Sequence, residues 1–399
     1  MSGRSGPLRG VRVLDLTRLL PGPMATLHLA DMGADVVKIE DTAAGDYARG
    51  MGHVREAERG RGPAAEKMSD FFRLLNRNKR GMRLDLKKRE GLDVFLRLAE
   101  SADAVVEGFR PGVMAKLGAG YDALAAVNPR IVYCSISGYG QDGPYAERAG
   151  HDVNYIGYAG VGDQIGTEDA PVVPNFQIAD LLGGALTPVM GILAALVDAR
   201  ASGRGRLVDV SMTDAVLAHA IFPLLGFLER GRAPGRGASM LDGGLPCYNM
   251  YRTKDGRWMA VGALERKFWE ALCDTLGCVE LKPKHIVYGE EAAPVKKRVA
   301  TIFAARTQRE WTEVFDRVDC CVSPVLTIDE ALANEQLRAR GMIRDRDGST
   351  QLAFPVRFSG FEFAIERDAP ERGEHSDEIL REAGYADAEI DALRRGGVI

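Results

Sequence analysis

Strand-like and helix-like segments alternate through the first third of the chain, and this constrains the fold more than any other feature. Residues 11–16 (VRVLDL) read as an apolar strand. Residues 21–33 (PGPMATLHLADMG) read as a turn, a helix starting near Pro23 and a glycine stop. Residues 35–40 (DVVKIE) form the next strand, and residues 89–101 have helical spacing with Leu92, Phe95, Leu96 and Leu98 on the apolar face. Short strands follow at 104–107 (AVVE) and 131–135 (IVYCS). Such alternation predicts a parallel sheet covered by helices, an α/β Rossmann-like arrangement, with ligands beyond the carboxyl ends of the strands.

Later segments change character. Residues 181–200 read as one long core helix and 214–230 as another. The glycine-rich stretch 231–244 (GRAPGRGASMLDGG) is a loop and a candidate boundary. Strands at 247–251 and 258–261 and helices at 268–276 and 311–318 suggest a smaller α+β domain. The expected division is a large α/β domain over residues 1–230, a small domain over 231–335, and a segment 336–399 that returns to the large one. A final amphipathic helix at 377–383 is stopped by Gly384. Residues 42–62, rich in Gly and charge, read as a mobile loop.

Composition narrows the function. The 399 residues carry 52 Lys plus Arg against 56 Asp plus Glu, a net charge of −4, which argues against non-specific nucleic-acid binding. The six cysteines include no CxxC, and residues 1–10 have no apolar signal region, so a soluble cytoplasmic chain with free thiols is expected. Residues 181–197 are uncharged but short for a bilayer span and are broken by Gly and Pro, so no membrane is expected. Walker A, HExxH and GxSxG patterns are absent. GYGQDG (138–143) matches a dinucleotide pattern but runs into Pro144 and Tyr145 without a clear helix. No histidine sits at metal-ligand spacing, and no metal is expected.

Three constellations carry polar chemistry. His151, after a glycine and beside Asp152, is a candidate proton-transfer group or a structural loop histidine. Asp180 precedes the 181–197 helix and reads as an N-cap; the Gly183–Gly184 pair adds the reading of an oxyanion-binding helix start. The basic run 77–83 (RNKRGMR), with Lys87, Lys88 and Arg110, is either a solvated face or a phosphate clamp.

These residues sit in stretches that resemble a known family almost end to end: GVRVLDLTRLLPGP (10–23), EGFRPGVMAKLG (107–118), GHDVNY (150–155), MLDGGLPCYNMYRTKDGRWMAVGALE (240–265), CCVSPVLT (320–327) and GEHSDEIL (373–380). The chain resembles the family III CoA-transferase (CaiB/BaiF) fold family. GHDVNY together with MAVGALE points to its α-methylacyl-CoA racemase branch. The resemblance implies an acyl-CoA substrate, with no cofactor beyond its CoA moiety, and a catalytic pair of His151 and Asp180. Glu265 would partner His151. The α-carbon beside the thioester would lose a proton to one of the pair and regain one from the other on the opposite face, through an enolate. The resemblance also implies CoA contacts from Lys38, from Leu84, Asp85, Leu86 and Lys87, from Gly108, Phe109 and Arg110, from Lys116, and from the segment holding Gly150, Asp152 and Tyr155. The family typically has Arg at the places of Lys38 and Lys116, and lysine keeps the charge without the bidentate fork. An interlocked homodimer is implied as well.

Two departures stand out. Residues 42–79 are longer than in typical racemases, and their LNRNKR ending is similar to the transferase branch. Glu265 is followed by Arg266 and Lys267, where racemases usually carry Pro and Gln. The alternative reading is a CoA-transferase in which Asp180 is a nucleophile, forming an acyl anhydride and then an aspartyl-CoA thioester. A non-catalytic CoA-binding protein is the third.

Overall fold

The computed structural model describes residues 6–55, 68–346 and 349–399. Residues 56–62 of the glycine- and charge-rich stretch lie outside the described residues. Two compact units are present. The first comprises Met1–Ala159, Phe176–His219 and Gly341–Ile399; the second comprises Gly160–Asn175 and Ala220–Arg340. The second unit therefore begins before the glycine-rich loop and also takes in residues 160–175. The helix read over 214–230 is in fact two, Met212–Ala218 and Ile221–Arg230, and the division falls at the break between them.

The first unit is built on six parallel strands: β1 (Arg12–Asp15), β2 (Asp35–Glu40), β3 (Arg80–Arg83), β4 (Ala104–Glu107), β5 (Val132–Ser137) and β6 (Leu207–Ser211). Their spatial order is β3-β2-β1-β4-β5-β6, and every pairing is parallel. The expected Rossmann-like sheet is thus present. The strand order reverses between β1 and β4, so their carboxyl ends open a crevice at the topological switch point. The central strands are buried on both faces, as their runs of Val, Ile and Leu require. Helices α1 (Pro21–Asp31) and α2 (Arg89–Glu100) belong to the same unit, and Phe95 and Leu98 of α2 enter its core.

The C-terminal segment completes this unit. A helix over Ser376–Glu382 follows His375, whose backbone N–H donates to Gly81 O at 2.8 Å. Beyond Gly384 a further helix, Asp387–Arg395, carries Ile390 into the core, so 377–383 is not the final helix.

The basic run proves to be neither a solvated face nor a phosphate clamp. Arg77 pairs with Asp31 at 2.7 Å, and Lys79 with Asp15 at 3.1 Å. Arg80 reaches Asp35, Glu378 and Glu382. Next to these, Lys38 Nζ is fully buried between Thr17 O (2.9 Å) and Asp46 Oδ2 (2.8 Å). Burial works against this ammonium, but Asp15, Asp46 and Glu40 outweigh it and raise its pKa. Lys79 is drawn down to about 8, chiefly by burial. Asp15 also accepts from Thr17 and Thr26, and Asp46 accepts from Leu19 and Ala48 N–H. The network therefore holds the loop that leaves β1, including Leu19 at φ +64°.

At the end of β4, Glu107 is 4% exposed. Its carboxyl group bonds Ser135 Oγ and accepts from Phe109 N–H at 2.7 Å. Burial pushes it up to about 7, against the hydrogen bonds from Ser135, Phe109 N–H and Tyr133.

The second unit holds an antiparallel sheet of β7 (Tyr248–Arg252), β8 (Trp258–Gly262) and β9 (Val322–Pro324), in the order β9-β8-β7. Trp269, Phe303, Trp311 and Phe315 fill its core.

Two predictions follow from the buried charges. Asp46→Ala strands Lys38 in the interior, and urea denaturation should show a loss of about 3–5 kcal/mol. Glu107 binds its proton more tightly folded than unfolded, so its contribution to stability falls as pH rises from about 4.5 to about 7. Glu107→Gln keeps the hydrogen bonds and cannot ionise. Its stability relative to the native chain should rise by about 3 kcal/mol between pH 4 and pH 8, read from denaturation curves at each pH.

Candidate active site

A cleft of about 500 Å³ opens where the sheet topology puts it. Thr17, Arg18, Pro21 and Gly22 come from the turn after β1, Gly108 to Pro111 from the turn after β4, and Ser137 and Gly138 from the end of β5. The remaining wall is Ala146 to His151 without Glu147, then Asn154, Tyr155 and Met212, with Ile136 at its floor. Its charged lining residues are Arg18, Arg110 and Arg148, with no carboxylate among them. Such a lining favours an anionic ligand. The Arg18 guanidinium lies 5.3 Å from the Phe109 ring centre and pairs with Asp41 at 2.6 Å. Arg148 stacks 3.7 Å over Tyr145 and donates to Tyr158 Oη at 2.8 Å.

His151 is exposed on the cleft wall, immediately before helix α3 (Asp152–Tyr158). Its backbone N–H donates to Asn154 Oδ1 at 3.0 Å, which fixes the helix start. Tyr155 braces the turn from behind. Its hydroxyl donates to Gly150 O at 2.5 Å. A Cβ at Gly138 or Gly150 would meet the Tyr155 ring at 2.3 or 2.6 Å, so both positions require glycine. Burial pushes the Tyr155 hydroxyl up to about 12, with Asp180 adding to the effect.

Asp180 does not occupy the N-cap position expected for it. It lies inside a π-helical segment, Ala179–Leu186, preceded by the helical Ile178. That segment continues into helix α4 (Thr187–Ser202). The sequence signals for the widened turn are Gly183, Gly184 and Pro188. Pro188 has no N–H to donate back into the helix, and a Cβ at Gly183 or Gly184 would strike Met212 Cα at 2.8 Å or Pro21 Cβ at 2.3 Å. The π turn and α4 are also less buried than a core helix. Leu186, Met190 and Val197 are exposed, while Ile192 and Leu196 are buried.

The carboxyl group of Asp180 is half-buried. Its pKa is raised to about 6: burial is the main cause, the Asp152 charge acts in the same sense and His151 opposes both. Desolvation and a neighbouring carboxylate thus both favour the protonated form, against the pull that a helix N-terminus exerts on a carboxyl group. The backbone donors proposed for an enolate are occupied. Ala179 and Asp180 N–H donate to Asp152 Oδ1 at 2.6 and 3.1 Å, and Leu181 N–H donates to Gln177 O at 2.9 Å.

Of the proposed CoA contacts, Gly108, Phe109, Arg110, Gly150 and Tyr155 line the cleft with His151. Lys38 does not: its ammonium is enclosed by Thr17 and Asp46, and this corrects its expected place at a phosphate. Leu84 is buried in the core, and Leu86 packs against it. Asp85 accepts from Lys87 N–H, while the Lys87 and Lys116 side chains are exposed elsewhere. Asp152 acts through its carboxylate on the 179–180 backbone. Glu265 lies in the second unit, exposed, just before helix α7, when Ile221–Arg230 is α6 and Arg266–Leu276 is α7 after α5 (Met212–Ala218). Thr17, Arg18 and Arg148 were not singled out from sequence. The first two were findable as the residues after the first strand; nothing local marked Arg148.

Comparison with known proteins agrees with this architecture. The family model for CoA-transferase family III matches residues 8–376. The chain is 36% identical over 398 residues to the human alpha-methylacyl-CoA racemase, covering 98% of this chain and 97% of that protein. It is 33% identical to the succinate–glutarate CoA-transferase of Agrobacterium fabrum, covering 96% and 97%. The crystal structure of a CAIB/BAIF family protein from Brucella suis superposes with a TM-score of 0.81 at 30% identity, covering 95% of this chain and 100% of that one. The chain belongs to CoA-transferase family III.

Proposed function

We propose that the protein is an acyl-CoA racemase or epimerase that inverts the α-carbon of a 2-methyl-branched acyl-CoA by 1,1-proton transfer. The observation that carries this reading is the state of Asp180. A carboxyl group raised to about 6 exchanges a proton near neutrality, as a two-base inversion requires of its acid. A carboxylate nucleophile gains nothing from holding a proton.

The chain's residues then divide the work. Arg18, Arg110 and Arg148 offer charge to the phosphates of the CoA moiety, since guanidinium groups pair with phosphate oxygens in charge-assisted hydrogen bonds. The turn held by Tyr155 and Gly150 presents His151 to the thioester end. The thioester acidifies the α-proton; His151 removes it from one epimer, leaving an enolate, and protonated Asp180 returns a proton to the opposite face. For the other epimer the two exchange roles. Glu265 is proposed as the residue that orients the imidazole, as in a base held by a third group. We also propose a homodimer. Helix α6 by itself exposes Ile221, Phe222, Leu224, Leu225, Phe227 and Leu228, and that run of apolar side chains supports association.

The second reading, a CoA-transferase through an Asp180 anhydride, is favoured by relatives such as the succinate–glutarate CoA-transferase of Agrobacterium fabrum. One experiment separates the two. A single epimer of a 2-methylacyl-CoA is incubated with the enzyme in deuterated water without any acceptor acid, then with a free dicarboxylate added. Deuterium is expected at the α-carbon in the first incubation, with loss of optical purity. His151→Ala and Asp180→Asn should each slow this exchange by about 100-fold or more. Movement of CoA only after the dicarboxylate is added, without α-deuteration, would overturn the racemase reading.

A further inference from the structure

Asp152 is the residue this structure adds to the site. It stands next to His151 in the chain, at the first position of α3. Its Oδ1 accepts two hydrogen bonds from a segment 27 and 28 residues away, from Ala179 N–H at 2.6 Å and Asp180 N–H at 3.1 Å. Two donors converging on one carboxylate oxygen make a short charge-assisted clamp. It also satisfies two of the N–H groups that a helix start leaves unpaired.

We propose that Asp152 is a positioning residue: it docks the beginning of the Asp180 segment onto the His151 turn and so sets the spacing between the two proton-transfer groups. The inference rests on the racemase reading for the roles of those two groups, but the clamp itself does not. A direct consequence concerns charge. Asp152 adds a negative charge beside Asp180 and thereby favours the protonated carboxyl. The titratable groups facing Asp180 are Asp152, His151 and Tyr155, all from the α3 segment. On the other side the π turn meets Pro21 and Met212, which carry no charge.

Clamp and charge are separable by substitution. Asp152→Asn keeps an oxygen that accepts both N–H groups and removes the charge; Asp152→Ala removes both. The first measurement does not depend on turnover: the carboxyl carbon of Asp180 is followed by carbon-13 NMR across pH, identified by its disappearance in Asp180→Asn. The titration midpoint in Asp152→Asn should fall below the native one by about 1 pH unit. The second is the pH dependence of α-deuterium exchange. Asp152→Asn should retain exchange with the limb set by Asp180 moved to lower pH, the acidic limb for the epimer that Asp180 deprotonates and the basic limb for the other. Asp152→Ala should lose about 100-fold in kcat, the scale expected for misplaced reacting groups, with KM for the acyl-CoA little changed.

An Asp180 midpoint that is the same in Asp152→Asn and the native protein would overturn the electrostatic part. Full kcat in Asp152→Ala, or a loss confined to KM, would overturn the positioning role and leave Asp152 as a CoA contact. If the native enzyme exchanges no deuterium, the racemase reading fails alone, and the NMR titration still decides whether Asp152 acts on Asp180. Should Asp152→Ala fail to fold, Asp152→Ser, whose hydroxyl is too short to accept both N–H groups, takes its place in the kcat and KM measurement, and the Asn variant carries the NMR titration.

Discussion

Two fully buried ammonium groups organise the ligand-facing edge of the large unit. Lys38 and Lys79 are anchored on Asp46 and Asp15; Lys38 also donates to Thr17 O, and Lys79 to Pro23 O, Thr26 Oγ1 and Asn76 Oδ1. A lysine removed from water is tolerable only when its charge is met and its donors are used. Both conditions are satisfied here, and the residues that satisfy them belong to the loop leaving β1 and its neighbours. That loop supplies Thr17, Arg18, Pro21 and Gly22 to the cleft. Interior charge is thus converted into a fixed wall at the point where the strand order reverses.

On the opposite side of the cleft a second set of polar contacts does the same for the chemistry. Tyr155, wedged between two glycines, holds the turn that presents His151. Asp152 then reaches across to the start of the π turn. The widened helical turn is where Asp180 sits, and widened turns of this kind are often found at functional positions. The segments that carry His151 and Asp180 are therefore tied to each other by backbone and side-chain hydrogen bonds, as the proposed two-base chemistry would require of a rigid site.

Much of this was readable in the sequence, and what was not has identifiable causes. Strands at 35–40 and 104–107 were legible because their apolar runs are bounded by turn residues; so was the parallel class, from alternation. The helix over residues 387–395 gives a weak signal because five of its nine residues are charged and only Ile390 and Leu393 meet the core. The basic run at 77–83 was misread because charge density on a sequence does not show that Asp15, Asp31 and Asp35, 45 to 64 residues away, will meet it. Lys38 was assigned to a phosphate by likeness to a position that usually carries Arg. In this chain a shorter, single-point cation turns inward to Asp46 instead. His151 and Asp180 stand out in the sequence by their neighbours, but the carboxylate that joins their segments does not, since no spacing rule links residue 152 to residue 179.

The central claim is geometric: an imidazole and a carboxyl group address one carbon from opposite sides. A crystal structure with a 2-methylacyl-CoA bound in the cleft tests it most directly. The account predicts the α-carbon between His151 Nε2 or Nδ1 and an Asp180 carboxyl oxygen, about 3–3.5 Å from each and approached from opposite faces. An α-carbon within reach of only one of them, or a thioester carbonyl carbon in line with the Asp180 oxygen instead, would contradict it.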